Sequence, residues 1–363
     1  MPEGWVNVFD VQRAAERELD PGPLGYFSGG AGDELTLREN VEAWKGWRLR
    51  PRQLTGIESV STAVEVLGAP VAAPILVAPV AYQRMLHPEG EPATARAAAA
   101  AGTVMCLSTL ATATPTEVAA AAPDGRRWFQ LYPFSDAGVT RALTAEAVAA
   151  GFEAVVVTVD APPGGKREQD HRTGFAIPPE VAIPSVTAAL GGGRPFDVTR
   201  TFDLLTPSLR WEHLGEIAAE AGVPVLVKGL LTAEDAELAI AHGAAGVVVS
   251  NHGGRQLDRA VTTAEALPEV VAAVAGRATV LVDGGIRRGV DVAIALALGA
   301  DAVLVGRPAI WGLAAAGAEG AEWVLRTLAE ELELALALLG VAGPRDLSHE
   351  HLRGPLPTCV YSD

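Results

Sequence analysis

The chain has 363 residues, 49% of them apolar, and a formal net charge of −16. The charge argues against nucleic acid and anionic membrane surfaces as general partners, since both repel an acidic surface. The length and apolar content suit one α/β barrel with extensions. The start, Met1-Pro2-Glu3-Gly4-Trp5, lacks the basic and apolar stretches of a secretory leader. No apolar run reaches membrane-spanning length without Gly, Pro or charge, and Tyr361-Ser362-Asp363 matches no retention or peroxisomal signal. A cytoplasmic protein is therefore expected. Cys106 and Cys359 show no metal or redox spacing, and Cys106, inside an apolar run, reads as a buried core thiol.

In chain order, residues 1–73 read as a helical cap with a short hairpin around 59–73. From residue 74 onward, β-branched runs alternate with alanine-rich helical patterns. Strands are expected at 74–80, 103–108, 127–132, 153–159, 223–228, 245–250, 278–283 and 301–305. Helices are expected at 88–101, 135–150, 232–242, 262–275 and 288–299; Thr232 with Asp235, and Thr262 with Glu265, have capping-box spacing. Strand–helix units in that number predict a TIM (β/α)8 barrel over 74–340, within a single domain of residues 1–363. A doubly wound open sheet holds a similar count. The regularity breaks after Asp160, where Pro178-Pro179, Gly191-Gly192-Gly193 and Pro195 mark residues 161–210 as a long loop, read as a lid.

The strand C-termini of such a barrel share one face, and that face carries its chemistry. Read there, the ends are Pro79-Val80-Ala81-Tyr82, Ser108-Thr109, Gln130-Leu131-Tyr132, Thr158-Val159-Asp160, Lys228, Ser250 with His252 and Arg255, Asp283-Gly284-Gly285-Ile286-Arg287, and Gly306-Arg307. Nearly every strand closes on a hydrogen-bonding group. The densest stretch is Ser250-Asn251-His252-Gly253-Gly254-Arg255-Gln256-Leu257-Asp258. Its glycines let the backbone turn tightly and approach a ligand. The histidine moves protons near neutral pH, and the arginine fork suits a carboxylate. Together they point to proton abstraction from an anionic substrate. Gly284, Gly285, Arg287, Gly306 and Arg307 suit a phosphate held by backbone N–H groups and guanidinium at the last two loops.

Asp160 can orient His252 across the barrel mouth, or be an ordinary strand-end carboxylate. Lys228, one of only three lysines, either caps a strand end in solvent or supplies charge to an anionic cofactor. Asp258 reads as a local salt-bridge partner. His87, His171, His213, His242, His349 and His351 read as ordinary histidines. No His/Cys/Asp cluster has metal-ligand spacing, so no metal is expected, and no Gly-x-Ser-x-Gly elbow is present.

From about Tyr26 to about residue 340 the chain resembles the FMN-dependent 2-hydroxy acid oxidases and dehydrogenases, a family that includes glycolate oxidase, lactate oxidase and mandelate dehydrogenase. The motifs that carry the resemblance are Ser250 to Asp258, Asp283-Gly284-Gly285-Ile286-Arg287-Arg288-Gly289, Gln130-Leu131-Tyr132, Thr158-Val159-Asp160, Leu226-Val227-Lys228-Gly229, and Tyr26-Phe27 leading to Asp33-Glu34-Leu35-Thr36-Leu37. The resemblance implies FMN held by Pro79, Val80, Ala81, Ser108, Gln130, Thr158, Lys228, Ser250 and Asp283, with Gly284, Gly285, Arg287, Gly306 and Arg307 at its phosphate end. It implies Lys228 beside flavin N1 and O2, and Ser250 near the ring. Arg255 and Arg167 would clamp the substrate carboxylate with help from Tyr26, and Tyr132 would bond the substrate hydroxyl. His252 would be the base, with Asp160 as its orienting partner. Without the resemblance, Arg167 reads as a solvated charge on a mobile loop.

The expected reaction is oxidation of an (S)-2-hydroxy acid to the 2-oxo acid, with O2 reduced to hydrogen peroxide. No cytochrome-like pattern appears in residues 1–70, the charged loop 161–210 disfavours membrane insertion, and Ala81 suits an oxidase. Leu110 stands where glycolate oxidase has a tryptophan, and Tyr82 adds an aromatic residue after Ala81. These two suggest a mandelate-like or 4-hydroxymandelate substrate, as in a hydroxymandelate oxidase. The alternatives are lactate or another aliphatic 2-hydroxy acid, a monooxygenase, or a dehydrogenase using a non-oxygen acceptor. A phosphate-binding barrel isomerase and a silent scaffold are the readings from other classes. The family resemblance also suggests a homotetramer.

Overall fold

The computed structural model describes residues 4–161, 163–178, 180–192 and 198–354, and the side chains of all of these but 198 and 199. Met1-Pro2-Glu3, Pro179, Gly193, Pro195, Cys359 and Tyr361-Ser362-Asp363 lie outside the described residues. Eight parallel strands close a barrel: β1 (Ile75–Val77), β2 (Val104–Ser108), β3 (Arg126–Leu131), β4 (Val155–Thr158), β5 (Val225–Leu230), β6 (Gly246–Val249), β7 (Thr279–Val282) and β8 (Ala302–Val305). Each strand pairs with its successor, and β8 returns to β1 with Val303 opposite Ile75 and Val305 opposite Val77. That closure excludes the open doubly wound sheet. The strands read as continuous Val/Ile/Leu runs because both their faces are buried.

The two faces feed two cores. Leu76, Val104, Cys106, Trp128, Val156, Leu226, Val248, Leu281 and Leu304 fill the barrel interior, floored by Val66 and Val71. Those two come from the expected hairpin, Val64–Val66 against Ala69–Val71, which turns through Leu67 and Gly68 at positive φ. The outward residues, such as Met105, Leu107, Phe129, Val155 and Val157, pack under the helices. Cys106 is thus a core thiol, and burial pushes its pKa far up.

The helix following each strand completes the units: Gly90–Ala100, Pro115–Ala121, Ala137–Ala149, Trp211–Glu220, Ala233–Ala241, Thr263–Val274, Gly289–Ala297 and Arg307–Leu339. The Thr262 N–H and hydroxyl both donate to the Glu265 carboxylate at the start of their helix, at 3.2 and 2.6 Å, and Thr232 accepts from the Asp235 N–H. Residues 161–210 hold more structure than their glycines and prolines suggest. They carry short helices at Glu168–Thr173 and Pro184–Ala189 and a 3-10 segment at Val198–Leu204. Among the described residues no helix is long and apolar enough to cross a membrane.

Three N-terminal helices, α1 (Val8–Glu18), α2 (Pro21–Ser28) and α3 (Leu35–Gly46), wrap the barrel. The helix α1 packs on Arg307–Leu339, and α3 on Thr263–Val274 and Gly289–Ala297. The docking of α3 is tight: the Trp44 indole donates to the Gly284 carbonyl at 2.8 Å. A Cβ on Gly285 would lie 2.0 Å from the Asn40 carbonyl oxygen, and Gly285 sits at φ +84°. Glycine is required there by packing as well as by conformation. Gly285→Ala is therefore expected to cost several kcal/mol in urea unfolding. Gly276→Ala, at φ +73° with no atom within 4 Å of the added Cβ, should cost only about 1 kcal/mol.

Candidate active site

The C-terminal ends of the strands open into one cleft of about 1010 Å³, part of it open to solvent. Of the residues singled out from the sequence, Tyr26, Pro79, Val80, Ala81, Ser108, Gln130, Tyr132, Thr158, Arg167, Lys228, His252, Arg255, Asp283, Gly284, Gly285, Arg287, Gly306 and Arg307 line it. Asp160 and Ser250 stand one layer behind.

His252 sits at φ +57°, an uncommon conformation for a residue with a side chain. The loop after β6 holds it there: the Ser250 hydroxyl accepts its backbone N–H at 3.1 Å. Its Nδ1 lies 2.9 Å from Asp160 Oδ1, which leaves Nε2 as the ring nitrogen available to the cleft. Burial raises the Asp160 pKa, but the charge and hydrogen bond of His252, together with Lys228, outweigh it and hold the carboxyl below its ordinary value. Two residues not singled out for function hold Asp160. A Cβ on Gly229 would lie 2.7 Å from Asp160 Cβ, at the bulge of β5. Gln256 Nε2 donates to the Asp160 carbonyl at 2.5 Å. Only the fold brings them together.

Lys228 is buried, not solvated. Its Nζ donates to Ser250 Oγ at 2.8 Å and pairs with Asp283 Oδ2 at 3.1 Å. Burial opposes its charge, yet Asp283 and Asp160 outweigh burial, and the pKa is raised. The ammonium therefore stays charged across the neutral range. Around it, Gln130 Nε2, Thr158 Oγ1 and Asp283 Oδ1 are buried without a protein partner. The Gln130 carbonyl oxygen already accepts from Ser108 Oγ and the Thr109 N–H, both at 3.2 Å, so its amide nitrogen is the open donor. Unpaired buried donors and acceptors of this kind call for a polar ligand. A flat ring edged with carbonyls and nitrogens, carrying a hydroxylated chain, fits them.

At the far end of the cleft Arg287 and Arg307 flank the N-terminus of the helix Arg307–Leu339. Burial pulls the Arg287 pKa down to about 10. Burial, then Arg255 and Arg287, pull that of Arg307 well below the ordinary value. Cations so crowded beside a helix N-terminus suit a phosphate. Arg307 is also a structural clamp, donating to the carbonyls of Phe27, Gly253 and Gly29, each at 3.0 Å. Both glycines of the His252 loop sit at positive φ, and Gly253 lines the cleft. Packing constrains them as well, since a Cβ on Gly253 would lie 2.9 Å from Arg307 and one on Gly254 2.5 Å from the Leu37 nitrogen. Asp258 is not an ion-pair partner of its neighbours; its carboxylate accepts the N–H groups of Asp33 and Thr36, both at 2.9 Å, and so caps α3.

On the open side, Arg255 and Arg167 place their guanidinium carbons 5.0 and 5.1 Å from the Tyr26 ring centre. Arg167 is not a solvated loop charge. A Cβ on the nearby Gly165 would lie 2.3 Å from the Arg255 carbonyl, and the Gly32 N–H donates to the Lys166 carbonyl at 3.0 Å. Tyr132 is buried; burial first, then Asp160 and Tyr26, push its pKa far up, so it remains a hydroxyl donor. Leu110 and Phe202 complete the wall, with the Phe202 ring 6.2 Å from that of Tyr132. Tyr82, expected as a wall residue, is buried with its ring centre 6.0 Å from that of Tyr26 and is not among the residues that line the cleft. The loops after β1 and β2 are tied by the buried Glu91, which accepts the N–H groups of Gln83 at 3.1 Å and Thr112 at 2.9 Å.

Fold and cleft together define a barrel enzyme built for a phosphorylated cofactor and a small carboxylate. The profile of the FMN-dependent dehydrogenase family matches residues 15–354. The L-lactate oxidase of Nostoc sp. is 44% identical over 96% of this chain and 98% of that protein. Glycolate oxidase 1 of Zea mays is 45% identical over 96% of the chain and 95% of its own length. Among solved structures, mandelate oxidase superposes with a TM-score of 0.90 at 43% identity, covering 97% of this chain and 99% of that one. Pediococcus acidilactici lactate oxidase does so with 0.90 at 36%, covering 96% and 94%. The chain belongs to the FMN-dependent 2-hydroxy acid oxidase and dehydrogenase family, and it is a flavoprotein oxidoreductase.

The lowered Asp160 pKa has a measurable consequence. Its stabilisation is present above the ordinary carboxylate value of about 4 and is lost as pH falls through the lowered one. In urea titrations across pH, Asp160→Asn should be less stable than wild type at neutral pH. It should also lose part of the acid-side decline; an unchanged decline would remove Asp160 as its source.

Proposed function

We propose that the protein oxidises an (S)-2-hydroxy acid to the 2-oxo acid with O2 as acceptor and hydrogen peroxide as product. The substrate we propose is aromatic, of the mandelate or 4-hydroxymandelate kind. The observation that carries the reading is the juxtaposition of His252, backed by Asp160 at 2.9 Å, with two guanidinium groups over the Tyr26 ring. One 2-hydroxy acid presents a carboxylate to the arginines and its reacting hydrogen to the imidazole.

In this reading Arg255 and Arg167 bind the carboxylate, Tyr26 assists them, and Tyr132 donates to the substrate hydroxyl. His252 takes a proton at Nε2, from either the α-carbon or the hydroxyl, and Asp160 stabilises the imidazolium that results. Pro79, Val80, Ala81, Ser108, Gln130, Thr158 and Asp283 would hold FMN, with Gly284, Gly285, Arg287, Gly306 and Arg307 at its phosphate. Lys228 would set a positive charge beside the bound ring, and Ser250 Oγ, which accepts from its ammonium, holds that charge in place. Bound FMN would supply the two-electron acceptor, with O2 as the final oxidant. The substrate loses two electrons and two protons, and O2 gains both to become hydrogen peroxide.

The aromatic preference is supported by the wall of Leu110, Phe202, Tyr26 and Tyr132, which offers apolar surface where a ring must sit. The 44% identity to an L-lactate oxidase favours a second reading, an aliphatic 2-hydroxy acid. We also take residues 1–363 as one functional domain, with 161–210 as a lid, acting as a homotetramer in the cytoplasm.

Two measurements test the reading. His252→Ala should lower kcat/KM by roughly 10² to 10⁴ and abolish anaerobic bleaching of the flavin by substrate. Across mandelate, 4-hydroxymandelate, lactate and glycolate, the aromatic acids should have the highest kcat/KM, with peroxide formed on oxygen admission. Faster turnover of glycolate would overturn the aromatic preference. Leu110→Trp should shift the ratio toward the small acids.

A further inference from the structure

Asp170 lies on the first turn of the short helix Glu168–Thr173, three residues past Arg167. Its Oδ2 accepts from Arg167 Nε at 3.0 Å, and the two side chains are 18% and 24% exposed. Its other oxygen, Oδ1, is buried with no hydrogen-bond partner. The neighbouring Glu168 is engaged elsewhere, with Lys166 at 3.4 Å and Arg172 at 2.6 Å. Asp170 is the carboxylate whose charge is felt by both guanidinium groups, Arg167 through contact and Arg255 through space.

The geometry points to Asp170 as a positioning residue that turns Arg167 Nε away from the cleft and so presents its paired Nη groups to the substrate carboxylate. Arginine has several rotatable bonds and loses substantial entropy when it is fixed. An ion pair already formed in the free enzyme meets that cost before substrate arrives, which is preorganisation. The helix that carries the pair is itself braced on the site. Gln169 packs on Gly25 and Gly29 of the Tyr26 segment, and the Phe175 ring lies 5.5 Å from Tyr26. Asp170 also balances one of the two arginine charges, leaving one net positive charge for one carboxylate.

This inference rests on the reading of Arg167 and Arg255 as the carboxylate grip. Its test uses the holoenzyme in the variants Asp170→Asn, Asp170→Glu, Arg167→Met and Arg167→Met/Asp170→Asn. With (S)-mandelate, Asp170→Asn should raise KM about tenfold with kcat little changed, the signature of lost uniform binding. Asp170→Glu should recover part of that affinity. The double variant should be no worse than Arg167→Met alone, because Asp170 acts through Arg167. Thermal melting gives a second readout. Arg167→Met leaves Asp170 a partly buried, uncompensated carboxylate and should lower the Tm, and adding Asp170→Asn should restore it. Impaired Arg167→Met beside a wild-type KM for Asp170→Asn, or strictly additive effects in the double variant, would overturn the inference alone. An unchanged KM in Arg167→Met would overturn the grip and the inference with it.

Discussion

The site depends on how the N-terminal segment is tied to the barrel mouth by buried guanidinium groups. Arg255 donates to the carbonyls of Tyr26 at 2.6 Å and Gly29 at 2.9 Å, and Arg307 reaches Phe27, Gly29 and Gly253. The bonds to Tyr26, Phe27 and Gly29 join α2 to the chemistry-bearing loops. The Asn40–Asn251 pair, bonded reciprocally at 2.8 Å, and the Asp258 cap do the same for α3. Residues from the start of the chain thus become part of a cleft whose other walls come from residues 78 to 310.

Those guanidinium groups are costly to bury, and carbonyl oxygens compensate them only in part. The lowered pKa values of Arg255 and Arg307 register that cost. The acidic counterweights are distributed by location. Asp283 and Asp160 face Lys228, and Asp170 faces Arg167. At the phosphate end, burial outweighs Asp291 near Arg287, and burial with neighbouring cations outweighs Glu34 and Asp283 near Arg307. A chain of net charge −16 therefore presents, at one point, a cleft suited to anions. Two anionic groups, a phosphate and a carboxylate, match its two ends.

Much of this was legible in the residues. Alternating apolar runs and helical patterns placed all eight barrel strands, and reading only the strand ends picked out the cleft, because a parallel barrel puts every strand C-terminus on one face. Lysine scarcity drew attention to Lys228. Other features had no local signal. Gly229 makes room for Asp160, Gln256 holds the Asp160 carbonyl, and Tyr82 is buried against Tyr26 without joining the cleft lining. Asp258 looked like a neighbour's counter-ion, yet it caps a helix that begins 223 residues earlier in the chain.

By itself the sequence determined the succession of strands and helices along the chain and the chemical kinds of group at each strand end, while closure into a barrel was decided by the pairing of the last strand with the first. Periodicity and strand-terminal residue type are local properties of the chain, so they can be read along it. The tertiary structure alone decided which carboxylate meets which cation, which glycines are there for packing, and which aromatic ring reaches the cleft. Those outcomes depend on the rotation of each side chain about its own backbone and on contacts between distant segments. Neither is encoded in spacing.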